Sequence, residues 1–108
     1  MFAAQFIFKP GVYDDRFHEL DQSIDAYAAS LPGYLGVERW VSLEGDVRNS
    51  IYYFDSMATV TEFARFEDHR TAKREYAKWY DGYQVVISEV TASYGDGNIS
   101  AIAAGLSR

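Results

Sequence analysis

The opening segment, residues 2–9, reads Phe-Ala-Ala-Gln-Phe-Ile-Phe-Lys and is closed by Pro10-Gly11. In an extended chain successive side chains point to opposite faces, so this stretch carries apolar or aromatic groups on both sides. Pro-Gly then ends it as a turn. Such a strand needs cover on both faces, which a sheet with one wet side does not provide. The rest of the chain must supply that cover.

Asp14 and Asp15 are both suited to cap a helix in which Phe17, Leu20, Ile24, Tyr27 and Leu31 recur at steps of three and four. Leu31-Pro32-Gly33 stops it. Residues 34–43 then alternate, with Leu35, Val37, Val41 and Leu43 on one side and Glu38, Trp40 and Ser42 on the other. Glu44-Gly45-Asp46 supplies hairpin turn residues, and residues 48–55 form the returning strand. Asp55 or Ser56 caps a second helix with Val60, Phe63 and Ala64 on one face. The pattern loses phase around residues 66–69 and resumes with Ala72, Tyr76, Trp79, Tyr80 and Tyr83, which predicts a helix in two pieces with a break between. Gly82 marks its exit and residues 83–94 read as a fourth strand.

The element order is β-α-β-β-α-β. It predicts an α+β, ferredoxin-like domain over residues 1–95, with a four-stranded antiparallel sheet and both helices on one face. The other sheet face is then apolar and uncovered, so a second copy is expected on it, giving a homodimer through sheet faces, a dimeric α/β barrel. Residues 96–108 are small and polar, a C-terminal tail expected to be mobile unless it docks on a partner subunit.

Composition narrows the function classes. A net charge of −6 and few clustered cations argue against a nucleic-acid surface. The absence of cysteine excludes disulfides, thiolate metal sites and a cysteine nucleophile. No stretch approaches the roughly 20 apolar residues of a membrane span and the N-terminus lacks a signal-peptide pattern, so a cytoplasmic protein with no membrane partner is expected. His18 and His69, without a second ligand at helical spacing, do not make a metal site; no metal is expected.

Three strings carry a family resemblance: Leu31-Pro32-Gly33-Tyr34-Leu35-Gly36, Tyr53-Phe54-Asp55-Ser56, and Asp68-His69-Arg70-Thr71-Ala72-Lys73 followed by the aromatic close Trp79-Tyr80 with Tyr83. In this order they resemble the antibiotic biosynthesis monooxygenase (ABM) family of dimeric α/β-barrel proteins, over residues 1–95. The resemblance implies a cofactor-independent oxygenase for small aromatic or polyketide-like substrates, or a related haem-degrading enzyme. The family's helical Trp position falls on Phe63 and its haem-ligand position near Lys73, which cannot bind iron as an imidazole does.

The candidate catalytic residues are His69, at the predicted helix break, and Tyr80. The candidate substrate-binding set is Gln5, Arg39, Tyr52, Phe54, Phe63, Tyr76, Trp79 and Tyr83, an aromatic lining between sheet and second helix with Arg39 as the group that would stabilise an enolate or phenolate. Trp40 and Asn49 are two further residues that interrupt apolar strands and are candidates to face the interior. The expected partner is a small aromatic molecule. Two readings follow: an ABM-like monooxygenase, or a non-catalytic module that binds or senses a small molecule.

Overall fold

The computed structural model describes residues 1–11, 14–65 and 79–106. In chain order the elements are β1 (Phe2–Pro10), α1 (Asp15–Ser30), β2 (Tyr34–Val41), β3 (Arg48–Phe54), α2 (Met57–Ala64) and β4 (Tyr80–Glu89), followed by a 3₁₀ turn at Ile102–Leu106. The strands form one sheet in the order β2-β3-β1-β4. Every pair is antiparallel. This is the expected ferredoxin-like α+β architecture.

β1 is central, and its register fixes both faces. Gln5 lies opposite Ile51 of β3 and Val86 of β4, while Phe6 lies opposite Ser50 and Val85. Phe2, Ala4, Phe6 and Phe8 therefore share a face with Tyr52, Phe54, Val85 and Ile87. That face carries the helices: Tyr52 and Phe54 are buried with Ala28 of α1 and with Val60 and Phe63 of α2, and Phe2, Ile24, Tyr34 and Val37 pack around them. A second cluster joins Phe17 and Leu20 of α1 to Trp79.

Local chemistry sets the helix ends. Asp14 is the N-cap of α1 and accepts from the Phe17 N–H at 2.9 Å. The same oxygen accepts from Trp79 Nε1 at 3.0 Å, so one carboxylate fastens the start of α1 to the entrance of β4. Ser56 caps α2 in the same way, accepting from the Thr59 N–H at 3.2 Å. Gly33 has φ of +90°, and a Cβ there would fall 2.1 Å from Asp55 Oδ1; only glycine lets the α1–β2 turn close on the end of β3.

The strand boundaries differ from the sequence reading: β2 stops at Val41 and not at residue 43, and β4 stops at Glu89 and not at residue 94. β4 begins at Tyr80, not at residue 83, because pairing with β1 reaches back to Tyr80 opposite Pro10; Tyr80 and Tyr83 are strand residues packed on Phe6 and Phe8. Gly82 is inside that strand, opposite Lys9, and marks no helix exit. The tail is also seated on its own chain. The Ile102 N–H donates to Glu38 Oε2 at 2.8 Å, and Ile102 Cδ1 lies 2.8 Å from where a Cβ on Gly36 would be. The second piece expected for helix two lies at residues 66–78, outside the described residues. Among the described residues no helix is long and apolar enough to cross a membrane.

Phe54 is wholly buried at the junction of sheet and both helices. Phe54→Ala is expected to lower unfolding free energy by about 3–5 kcal/mol in a denaturant titration. Gly36→Val, which imposes a side chain at φ +138° and displaces Ile102, is expected to speed hydrogen exchange at the Ile102 amide with little change in the exchange of β1.

Candidate functional site

The helix-bearing face leaves a cavity of about 50 Å³ where α2 leans on β1, β3 and β4. Phe6, Tyr52, Val60, Phe63, Val85 and Ile87 wall it, with Gln5 at its edge. It is an aromatic and aliphatic space: the Phe63 ring sits 5.0 Å from that of Tyr52 and 5.4 Å from that of Phe54. As packed, it admits water and not a drug-sized molecule, which needs about 300 Å³ or more. Among its described lining residues Tyr52 alone is ionisable.

The Tyr52 hydroxyl points away from that space into a polar cluster under α1. It donates to Asp25 Oδ1 at 2.5 Å. Arg39 of β2 donates through Nη2 to both Asp25 oxygens, at 3.0 and 2.9 Å, and lies 3.5 Å from the Tyr52 oxygen. Asp25 thus binds two of the side chains that the sequence offers as polar groups for a substrate, Arg39 and Tyr52. Burial raises the Tyr52 hydroxyl far above the usual phenol range, and its hydrogen bond to Asp25 and the charge of that carboxylate add to the rise. It is a neutral donor throughout the physiological range, not a base. Asp21, one turn earlier on α1, is also raised, by partial burial first and by the nearby Asp25 charge second, against the pull of Arg39 and His18.

No family model matches the chain. The uncharacterised protein YqjZ of Bacillus subtilis is 32% identical over 79 residues, covering 71% of this chain and 68% of YqjZ. The chain belongs to the YqjZ family. Its fold is that of the antibiotic biosynthesis monooxygenases. Rv0793 of Mycobacterium tuberculosis superimposes with a TM-score of 0.68 at 11% identity, covering 87% of this chain and 98% of that one. SnoaB, a cofactor-independent oxygenase from Streptomyces nogalater, gives 0.68 at 7% identity over 88% and 97% of the two chains.

Against that fold, the residues of this YqjZ-family chain that the sequence singled out fall into separate places. Tyr52 and Phe63 meet at the cavity and Phe54 backs it from the core, whereas Gln5 borders it along β1 but turns its side chain to the opposite face, toward Asn49. Tyr80 and Tyr83 stand one residue away, their rings 5.2 and 5.7 Å from that of Phe6. Trp79 is buried in the other cluster, 5.4 Å from the Phe17 ring, with its indole N–H held by Asp14. Arg39 is in the Asp25 cluster. Trp40 and Asn49 lie on the opposite face of the sheet, with Gln5 at Asn49's side. His69 and Tyr76 lie outside the described residues. Sequence reasoning passed over Asp25, Val85 and Ile87. The two β4 residues were legible as alternation in the fourth strand, whereas Asp25 reads as an ordinary polar helix position until Arg39 and Tyr52 are folded against it.

Tyr52→Phe leaves Asp25 without one donor while keeping the ring, and is expected to cost about 1–2 kcal/mol at neutral pH. The pH dependence carries the sign. A phenol raised in the folded state holds its proton more tightly there than in the unfolded chain, so its contribution is fully present below pH 10.0, the ordinary tyrosine value, and fades as pH climbs above it. Denaturant unfolding from pH 7 to 11 is expected to show the wild type losing stability above pH 10 and the variant losing less.

Proposed function

We propose that this chain is a cofactor-independent oxygenase of the ABM type, acting on a small aromatic or polyketide-like substrate and working as a homodimer joined through its open sheet faces. The observation that carries this reading is the aromatic cavity between the sheet and α2, in a fold shared with a cofactor-independent oxygenase. In such chemistry the protein deprotonates the substrate, and the resulting carbanion transfers its electrons to O₂ directly. The protein's tasks are to bind a planar molecule, remove one proton and exclude water. Phe6, Phe63 and Tyr52 offer rings to stack on. His69 is the proposed base, with Tyr80 as the alternative, and Tyr76 a further substrate contact. Because the cavity holds about 50 Å³, substrate entry requires α2 to move off β1 and β3. Its two buried residues, Val60 and Phe63, are the anchors that such a movement would slide.

A second reading, a small-molecule binding module, is favoured by the pairing of Arg39 and Tyr52 with Asp25. That pairing commits the cluster's cation and its phenol to an internal carboxylate, instead of leaving them for a substrate oxyanion.

Oxygen uptake with a panel of hydroxylated polycyclic aromatics, run beside anaerobic ligand titration by tyrosine and tryptophan fluorescence, separates the two. The oxygenase predicts uptake by the wild type, and at least a ~100-fold lower turnover with unchanged binding in His69→Ala. Binding without uptake sinks the enzyme and leaves the module. No binding by any panel member sinks both.

A further inference from the structure

Among the described residues that line the space between the sheet and α2, two carry hydrogen-bonding side chains, Gln5 and Tyr52. Neither turns its polar atoms inward. Gln5 projects to the opposite face of β1, where its Oε1 accepts from Asn49 Nδ2 at 2.9 Å. The Tyr52 hydroxyl is taken up by Asp25 Oδ1. The β1 backbone along the space is paired on both edges, with β3 and with β4. A buried water needs about two to four polar partners, and these walls offer it none from a side chain. What remains is an apolar space that water occupies only weakly.

Its size narrows the occupant further. An apolar cavity of ~150 Å³ stays dry and takes up benzene or xenon. At about 50 Å³, with α2 seated as it is, this one excludes an aromatic ring and still has room for a diatomic molecule. The walls come from two sources: Ala4, Phe6, Val85 and Ile87 belong to the sheet, and Val60, Phe63 and Ala64 to α2. Val60 and Phe63 are buried, whereas Val85 and Ile87 are 36% and 46% exposed, so the space opens to solvent along β4. A small apolar gas can enter without any movement of α2.

We propose that this space is a dioxygen pocket, which takes O₂ from solvent along β4 while α2 is seated and holds it against Phe6, Val85 and Ile87. The inference rests on the oxygenase reading of the preceding subsection for its use, and on the cavity alone for its binding. Dioxygen is apolar and dissolves better in hydrocarbon than in water, so a dry apolar space concentrates it. A cofactor-independent oxygenase has no metal to bind O₂, and the walls of its site have to serve instead. The two sources of wall then order the events. The sheet side chains stay in place when α2 moves off β1 and β3, so the aromatic substrate enters beside oxygen already held at β4.

The experiment is methyl NMR of the wild type with no organic ligand, equilibrated under oxygen pressure and then under nitrogen. Dissolved O₂ is paramagnetic and speeds the relaxation of the methyl groups it touches. The exposed Ile99 methyls report oxygen in bulk solvent, and the buried Ala28 methyl reports ordinary packed core. Enhancement at Val60 and Ile87 is expected to be at least ~2-fold above both references. Ala64→Leu adds an isopropyl group to the α2 wall, and Val85→Phe fills the space from the sheet. Each is expected to abolish the excess while the far-UV circular dichroism stays that of the wild type. Variants on two separate elements keep the test intact if one of them fails to fold. Enhancement at Val60 and Ile87 no greater than at Ala28, or an excess that persists in both filled variants, overturns the pocket and leaves the oxygenase reading to the uptake assay. An excess that the filled variants remove, in a protein that consumes no oxygen with any panel member, upholds the pocket and overturns the oxygenase reading.

Discussion

β1 is hydrogen-bonded along both edges, to β3 and β4, and the remaining elements take their positions from it. Its alternation assigns each neighbouring residue to a face: once Phe6 and Phe8 turn toward the helices, the antiparallel register carries Tyr52, Phe54, Val85 and Ile87 to the same side. A slip of one residue would exchange the aromatic core for Gln5, Asn49 and Gln84. The cavity, the Asp25 cluster and the amide pair on the far face are all consequences of that single register.

The two faces are used differently. On the helix side, apolar burial concentrates at Phe54, Phe63 and Val60, and the cavity is the space left where the short α2 meets the sheet. The polar groups on that side are gathered at its border with α1, where Asp25 holds both Arg39 and Tyr52. An exposed ion pair of this kind contributes on the order of 1 kcal/mol or less, since the side chains of Arg39 and Asp25 are 47% and 38% accessible. Its main effect is on chemistry: it keeps the guanidinium engaged, while burial first and the hydrogen bond to Asp25 second keep the phenol protonated. On the far side, the tail and the Gln5–Asn49 pair divide the face between them.

The chain also shows how few side chains join its parts. Asp14 serves at once as the cap of α1 and as the acceptor for the Trp79 indole. Glu38 serves Tyr53 and the tail. Each carboxylate satisfies two donors from distant segments, the arrangement by which a small domain holds its ends without a disulfide.

The sequence by itself determined the element order, a cap at Asp14 or Asp15 and another at Asp55 or Ser56, the Pro-Gly stop after α1 and the need to cover both faces of β1. These follow from side-chain periodicity, glycine and proline geometry and short-range hydrogen bonds, which act within a few residues. Tertiary structure decided the rest. The extension of β4 back to Tyr80 came from pairing with β1, and the seat of the tail from a glycine and a glutamate more than sixty residues earlier. Arg39, legible as a polar interruption in β2, became a partner of Asp25 only when β2 and α1 packed, and Asn49 was turned from the interior to the open face by the register of β3. Charge pairing and strand register depend on residues distant in the chain, and a local pattern does not encode which distant residue will arrive.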